Sequence, residues 1–288
     1  MVETNITKES IQLYKNLTEM NYNTGWKECG SLLLARTRDR LTHFRRMKAH
    51  SVYRNIECHI LSVEDIAKKY PYLSTKELQG GLWIPNDGVA DPYTICKSLA
   101  ELAANQGVRM YEHIQVNKVL TSQNQSSPRV SAVETDHGTI ACEYFVNCAG
   151  FWSRSLGKKT EPSVKVPVQA VEHYYLHTKK VPDIDEDMPV IRDLDGHIYI
   201  RVKDGCYLGG GFEPMAKPVF EDGSLPLSFD ERELEVDWDH AAPLLEQMVY
   251  RLPSLRDAYL EKLCNGPEAF SPDCRWVGIS CFMCSWIS

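Results

Sequence analysis

Val146-Asn147-Cys148-Ala149-Gly150-Phe151-Trp152-Ser153 follows directly on Tyr144-Phe145, and the reading of this stretch decides the fold. A short apolar run ends in the small pair Ala149-Gly150 and then in an aromatic and polar step able to start a helix. The stretch therefore predicts a strand, a tight turn and a helix in succession. At Ala149-Gly150 no bulky side chain stands between the backbone amides and a ligand, so an anionic group can come close. A plain tight turn explains the same residues, and the surrounding chain is what favours the ligand-binding reading.

Residues 129–142 read as a hairpin, with Asp136-His137-Gly138 as the turn between two alternating runs. Before them, residues 92–106 read as an amphipathic helix with Ile95, Leu99, Leu102 and Ala103 on one face, and residues 108–113 as a strand. The order helix, strand, strand pair and then residues 146–153 resembles the middle of the FAD-binding domain in the D-amino-acid-oxidase, or glycine-oxidase-like, superfamily. Five blocks narrow the match. They are Trp83-Ile84-Pro85-Asn86-Asp87-Gly88-Val89-Ala90-Asp91-Pro92, residues 146–153, Val166-Pro167-Val168-Gln169-Ala170-Val171-Glu172-His173-Tyr174-Tyr175, residues 192–201 and residues 265–273. Their order is that of the sarcosine and dimethylglycine dehydrogenases and of a non-enzymatic relative, the regulatory subunit of pyruvate dehydrogenase phosphatase. Residues 217–223 followed by Asp237-Trp238-Asp239-His240 look most like that regulatory member. The resemblance covers residues 5–277.

The resemblance implies an α/β (α+β) fold in which a truncated FAD-binding domain of the glutathione-reductase type is interleaved with an antiparallel-sheet substrate domain. Residues 1–88 would form the first part of the substrate domain with linking helices, and 89–163 the middle of the FAD-binding domain. Residues 164–262 would form the antiparallel-sheet substrate domain, 263–278 would return to the FAD-binding domain, and 279–288 would be an atypical tail. It further implies FAD as cofactor, a mitochondrial matrix location, and either a small amine-carboxylate substrate or the phosphatase catalytic subunit as partner. In an enzyme of this type hydride passes from the N-methyl carbon to flavin N5, and the imine is hydrolysed to formaldehyde or meets folate. In a regulator the same fold is a protein-binding surface and the flavin is idle.

Composition sets outer limits. At 288 residues the chain can bury a sizeable core, and 43% hydrophobic with 25% charged residues is the balance of an ordinary globular protein. A net charge of -7 with no basic stripe argues against a nucleic-acid partner. No apolar run approaches the length of a membrane span. Met1-Val2-Glu3-Thr4-Asn5 is neither apolar like a secretory signal nor Arg-rich like a transit peptide. The ten cysteines are scattered, and only Cys281 and Cys284 have metal or redox spacing, which without a second pair makes a poor zinc site.

In chain order, Ile11, Tyr14 and Leu17 predict a helical face over residues 8–18, residues 30–35 a buried strand, and residues 38–48 a charged helix with Leu41 and Phe44 inward. Ser62 and Asp65 have capping-box chemistry for a short helix over 63–69, and residues 80–85 read as a strand closed by proline before the turn Asn86-Asp87-Gly88. Residues 158–163 mark a crossover. Beyond it, strands are predicted at 166–170, 172–178, 190–193, 197–202 and 206–210, forming an antiparallel sheet. Residues 221–230 read as a loop, and 238–252 as a helix with Leu244, Leu245, Met248 and Leu252 on its apolar side.

Amine oxidation by a flavin requires a clamp for the substrate carboxylate and a dry pocket. The family's His-x-Tyr motif falls on His173 and Tyr175, which alternate onto one strand face; a structural histidine is the competing reading of His173. Tyr199 and Arg201 are expected on an adjoining strand, with Arg201 the better carboxylate clamp and Arg192 better explained by an ion pair with Asp193 or Asp195. Gly209-Gly210-Gly211 is not a phosphate loop; it is expected to admit the flavin ring or a neighbouring strand. The resemblance assigns Cys148, Ala149, Gly150, Trp152, Pro272 and Asp273 to the cofactor site, with turn capping the alternative for Asp273. The superfamily's Gly-x-Gly-x-x-Gly phosphate turn is not in this sequence, nor is the family's folate-binding region. What remains is the wall of the pocket without its main phosphate anchor. The last ten residues fit nothing in the family and read as the scar of a truncated or misspliced gene. A third reading follows: an incomplete product that neither folds nor functions alone, its parallel sheet lacking a central strand and exposing edges.

Overall fold

Alternation of apolar and polar residues along the strands, and the caps of the helices, build the chain element by element. The computed structural model describes residues 2–122, 129–222, 225–227 and 234–272. In order these are α1 (Val2–Glu19), β1 (Ser31–Ala35), α2 (Arg38–Val52), β2 (His59–Leu61), α3 (Val63–Lys69), β3 (Gly80–Ile84) and α4 (Pro92–Asn105). There follow β4 (Val116–Ser122), β5 (Arg129–Thr135), β6 (Gly138–Ala141), a 3-10 turn (Gly150–Trp152) and α5 (Ser153–Lys158). The remainder comprises β7 (Gln169–Thr178), β8 (Val190–Asp193), β9 (Ile198–Lys203), β10 (Cys206–Gly211), α6 (Trp238–Arg251), a 3-10 turn (Pro253–Arg256) and β11 (Leu260–Phe270). Among the described residues no helix is long and apolar enough to cross a membrane.

These elements divide into two compact units. The first holds the described residues of 2–103, 173–216 and 234–266, the second those of 104–172, 217–227 and 267–272. An eight-stranded sheet has the order β11-β7-β10-β9-β8-β1-β3-β2. Its pairings on either side of β9, β10 and β3 are antiparallel, but β1 runs parallel to β8, so the sheet is mixed rather than purely antiparallel. The core of the first unit lies against one face: Leu32, Leu34, Ile191 and Ile200 meet Leu244, Met248 and Leu252 from α6 and its end. Each such side chain, fully withdrawn from water, stabilises by about 2 kcal/mol. On the opposite face of β1 and β3, Leu33, Ala35 and Leu82 meet Phe44 of α2.

The helix ends follow from their capping residues. Ser62 Oγ accepts the Asp65 N–H at 3.1 Å while Asp65 Oδ2 accepts the Ser62 N–H at 3.1 Å, a reciprocal pair that starts α3 where the sequence predicts. Thr37 and Asp237 cap α2 and α6 by accepting from Arg40 N–H and His240 N–H. In the second unit, β4, β5 and β6 form a three-stranded antiparallel sheet, with the β5–β6 turn at Asp136-His137 as expected.

Three sequence expectations are corrected. Residues 108–113 are not a strand: no ladder joins them to any described strand, and Val108, Met110 and Tyr111 are exposed. An extended apolar segment becomes a strand only where a second backbone supplies hydrogen-bond partners. For the same reason residues 144–146 are irregular, with Tyr144 and Val146 exposed, although the turn and short helix that follow do form. The two strands expected at 166–170 and 172–178 are one, β7, which begins only at Gln169.

Candidate functional site

Period-two alternation sorts the side chains of β7 and β9 onto opposite faces. Tyr174, Leu176 and Thr178, like Ile198, Ile200 and Val202, are buried, and most of them join the core cluster that includes α6 residues. His173, Tyr175 and His177, like Tyr199, Arg201 and Lys203, are half-buried on the other face. The register aligns them across the sheet. Tyr175 stands opposite Gly210, Gly210 opposite Tyr199, and Tyr199 opposite Arg192; in the next row His177 stands opposite Leu208 and Leu208 opposite Arg201. All four residues taken from the sequence as catalytic therefore share one face of the first unit.

Gly210 has a specific use in this row. A Cβ there would run into the phenol of Tyr199, so the Tyr199 ring lies across Gly210. Gly209 and Gly211 turn to the other face, where a Cβ would meet Met248 Sδ at 2.9 Å and the Leu244 side chain. The three glycines admit the Tyr199 ring of the neighbouring strand β9 on one side and α6 on the other.

His173 Nδ1 lies 3.3 Å from Glu213 Oε2, and Glu213 Oε1 accepts the Tyr174 N–H at 3.0 Å. The two side chains are only 14% and 4% exposed, which keeps competing water from the pair. The Phe212 ring centroid is 5.2 Å from that of His173, and the Arg192 guanidinium carbon is 5.8 Å from the centroid of Phe212. Glu213 was missed from sequence, and the only available signal was its place just beyond the triglycine strand.

The expected ion pair of Arg192 is corrected. Asp193 alternates to the opposite side of β8 and binds Arg36 at 2.7 Å and Arg251 at 2.8 Å, while Asp195 binds Arg40 at 3.0 Å. Among the described residues neither Arg192 nor Arg201 has a carboxylate partner, whereas Lys203 is matched by Asp91 at 2.8 Å. That contact and the Thr94 N–H hold Asp91 down at about 2. Burial pushes the His177 imidazole below its usual value, and Lys203, Lys262 and Arg201 add to the effect. A face with two guanidinium groups, two phenols and two histidines can bind a carboxylate and orient an amine.

In the second unit, Asn147 shapes the turn. Its Oδ1 accepts the Ala149 N–H at 3.2 Å and its Nδ2 donates to the Ser153 carbonyl at 3.0 Å. Gly150 sits at φ +52, and a Cβ there would meet nothing within 4 Å. Cys148 and Gly150 are exposed, Ala149 is half-buried, and Trp152 donates its indole N–H to the Pro226 carbonyl at 2.7 Å. The space at Gly150 is open, so the turn leaves room for a flat or anionic group such as part of FAD to approach the backbone. Pro272 lies elsewhere in the unit, in a groove of about 640 Å³ with Arg154, Lys158, Val166 and Phe270, and the residues of the turn do not line that groove. Asp273 and the tail 279–288 lie outside the described residues. Among the described residues no group of His, Cys, Asp and Glu could hold a metal ion.

Comparison with known proteins adds an independent set of findings. A family model described as FAD dependent oxidoreductase matches residues 2–281. The pyruvate dehydrogenase phosphatase regulatory subunit, mitochondrial, of Mus musculus is 37% identical over 278 residues, covering 96% of this chain and 31% of that protein. Sarcosine dehydrogenase, mitochondrial, of Mus musculus is 34% identical over 257 residues, covering 88% of this chain and 27% of that protein. The chain thus spans less than a third of the length of these relatives. Among solved structures, L-proline dehydrogenase from P. horikoshii superposes with a TM-score of 0.78 at 20% identity, covering 92% of this chain and 67% of that one, which is a likeness of fold.

Proposed function

Since the chain belongs to the FAD dependent oxidoreductase family, whose cofactor is FAD, we propose that its sheet face binds a small N-methylated amino acid for flavin-dependent oxidation at a carbon–nitrogen bond. The observation that carries this reading is the register that brings Tyr175, Tyr199 and Arg201 to one face with His173. Arg201, with no carboxylate of its own among the described residues, takes the substrate carboxylate in a fork of two hydrogen bonds. Tyr175 and Tyr199 orient the amine from either side of Gly210, and His173 takes a proton from the amine nitrogen. FAD, when bound, accepts the hydride equivalent. The turn at Cys148, Ala149, Gly150 and Trp152 would line one part of the cofactor, and Pro272 with Asp273 another.

A second reading is favoured by the 37% identity to the phosphatase regulatory subunit. There the same face binds a ligand without turnover, and the partner is the phosphatase catalytic subunit. On either reading we place the protein in the mitochondrial matrix; the names of both relatives support the mitochondrion.

Anaerobic titration of the FAD-supplied chain with sarcosine and dimethylglycine separates the two. Bleaching of the flavin absorbance supports oxidation, and Arg201→Gln should then raise the half-saturating amine concentration by about 10- to 100-fold, the loss of a charge-assisted contact of about 1.5–3 kcal/mol. Bound flavin that no amine reduces favours the regulator. Failure to hold flavin overturns the oxidation reading for this chain.

A further inference from the structure

We propose that Glu213 is a positioning residue that fixes the tautomer of His173, placing the ring proton on Nδ1 and the lone pair on Nε2. The role assigned to that lone pair rests on the amine-oxidising reading above; the tautomer itself does not.

A carboxylate only accepts hydrogen bonds. Glu213 Oε1 is anchored by the Tyr174 N–H at 3.0 Å, and this leaves Oε2 facing His173 Nδ1 at 3.3 Å. With the Glu213 side chain 4% exposed, the pairing of an acceptor with Nδ1 selects the N–H form there, and a neutral imidazole then carries its lone pair on Nε2. Phe212, against the His173 ring, limits its rotation.

The chemistry needs this arrangement. An amine protonated to ammonium has no electron pair to push as hydride leaves the adjacent carbon. In the step assigned here an ammonium N–H bond breaks and an Nε2–H bond forms; the electron pair returns to the substrate nitrogen, and the negative charge of Glu213 stabilises the resulting imidazolium.

Substitution can reverse the geometry. In Glu213→Gln the side-chain carbonyl takes the Tyr174 N–H, its NH2 turns to His173 Nδ1, and Nδ1 must accept. The proton then moves to Nε2. The experiment is nitrogen-15 NMR of the histidine-labelled chain, with the His173 signals assigned by their loss in His173→Gln. Protonated Nδ1 in the unsubstituted protein and protonated Nε2 in Glu213→Gln are expected. Protonated Nε2 in the unsubstituted protein, or an unchanged pattern in Glu213→Gln, overturns the proposal. Should Glu213→Gln not fold, Glu213→Asp, which stays acceptor-only, should keep the Nδ1–H form, and a reversed tautomer there overturns it equally. In the FAD-loaded chain Glu213→Gln should slow amine-driven flavin reduction by about 100-fold or more. If no amine reduces flavin while the Nδ1–H form is found, the oxidation reading falls and the assignment of the tautomer stands.

Discussion

Asp193 is fully buried, and its carboxylate is shared by Arg36, the fully buried Arg251 and the Gly196 N–H. Removing the Asp193 charge would leave buried Arg251 and Arg36 with only Glu77, at 3.1 and 3.5 Å, as counter-ion, so Asp193→Asn should destabilise the chain by about 3 kcal/mol in urea denaturation. Burial alone would raise this carboxyl, but hydrogen bonds and charge from Arg36 and Arg251 outweigh it and hold Asp193 below its ordinary value. A group depressed in the folded state stabilises above its unfolded pKa and loses that contribution as pH falls through the folded one. The stability gap between the unsubstituted chain and Asp193→Asn should therefore be constant above about pH 4 and shrink below it; a gap that widens on acidification would contradict this. The sequence made His173, Tyr175, Tyr199 and Arg201 legible because period two is a local property. It could not show that Asp193 belongs to Arg36, or Glu213 to His173, because those partners lie 157 and 40 residues apart and meet only through the sheet.

At the scale of elements, α6 rests on the side of β10 that its glycines leave bare. Leu244 and Met248 occupy the space that a side chain at Gly211 or Gly209 would need. Leu244→Ala should cost about 2–5 kcal/mol through the cavity it opens, and Gly211→Ala about 1–3 kcal/mol through overpacking. If the thermal midpoint of Gly211→Ala matched that of the unsubstituted chain, the contact would be looser than described. Elements with a local stop and start signal were legible, α3 above all, since Ser62 and Asp65 satisfy each other within one turn. Residues 108–113 were not, because a strand is a relation between two segments and apolar content supplies only one of them.

Over the whole molecule, protection from solvent is unequal. In the first unit, β1 is buried at all five positions and sits between β3 and β8, whereas in the second unit every residue of β6 is exposed at the edge of its sheet. Native-state hydrogen exchange should be slowest at β1, β8 and β9 and fastest among strands at β6; equal protection in β1 and β6 would refute the comparison. The parallel join of β1 to β8 also bears on how the chain emerges from a ribosome. β2, β3 and β1 can assemble from the first 84 residues, but β8 begins about 106 residues after β3 ends, and synthesis at about 5–20 residues per second delays it by about 5–20 s. Throughout that interval Leu32, Leu33 and Leu34 stand on a bare edge of a nascent sheet, and the half-made protein is a client for any chaperone that recognises an uncovered apolar strand.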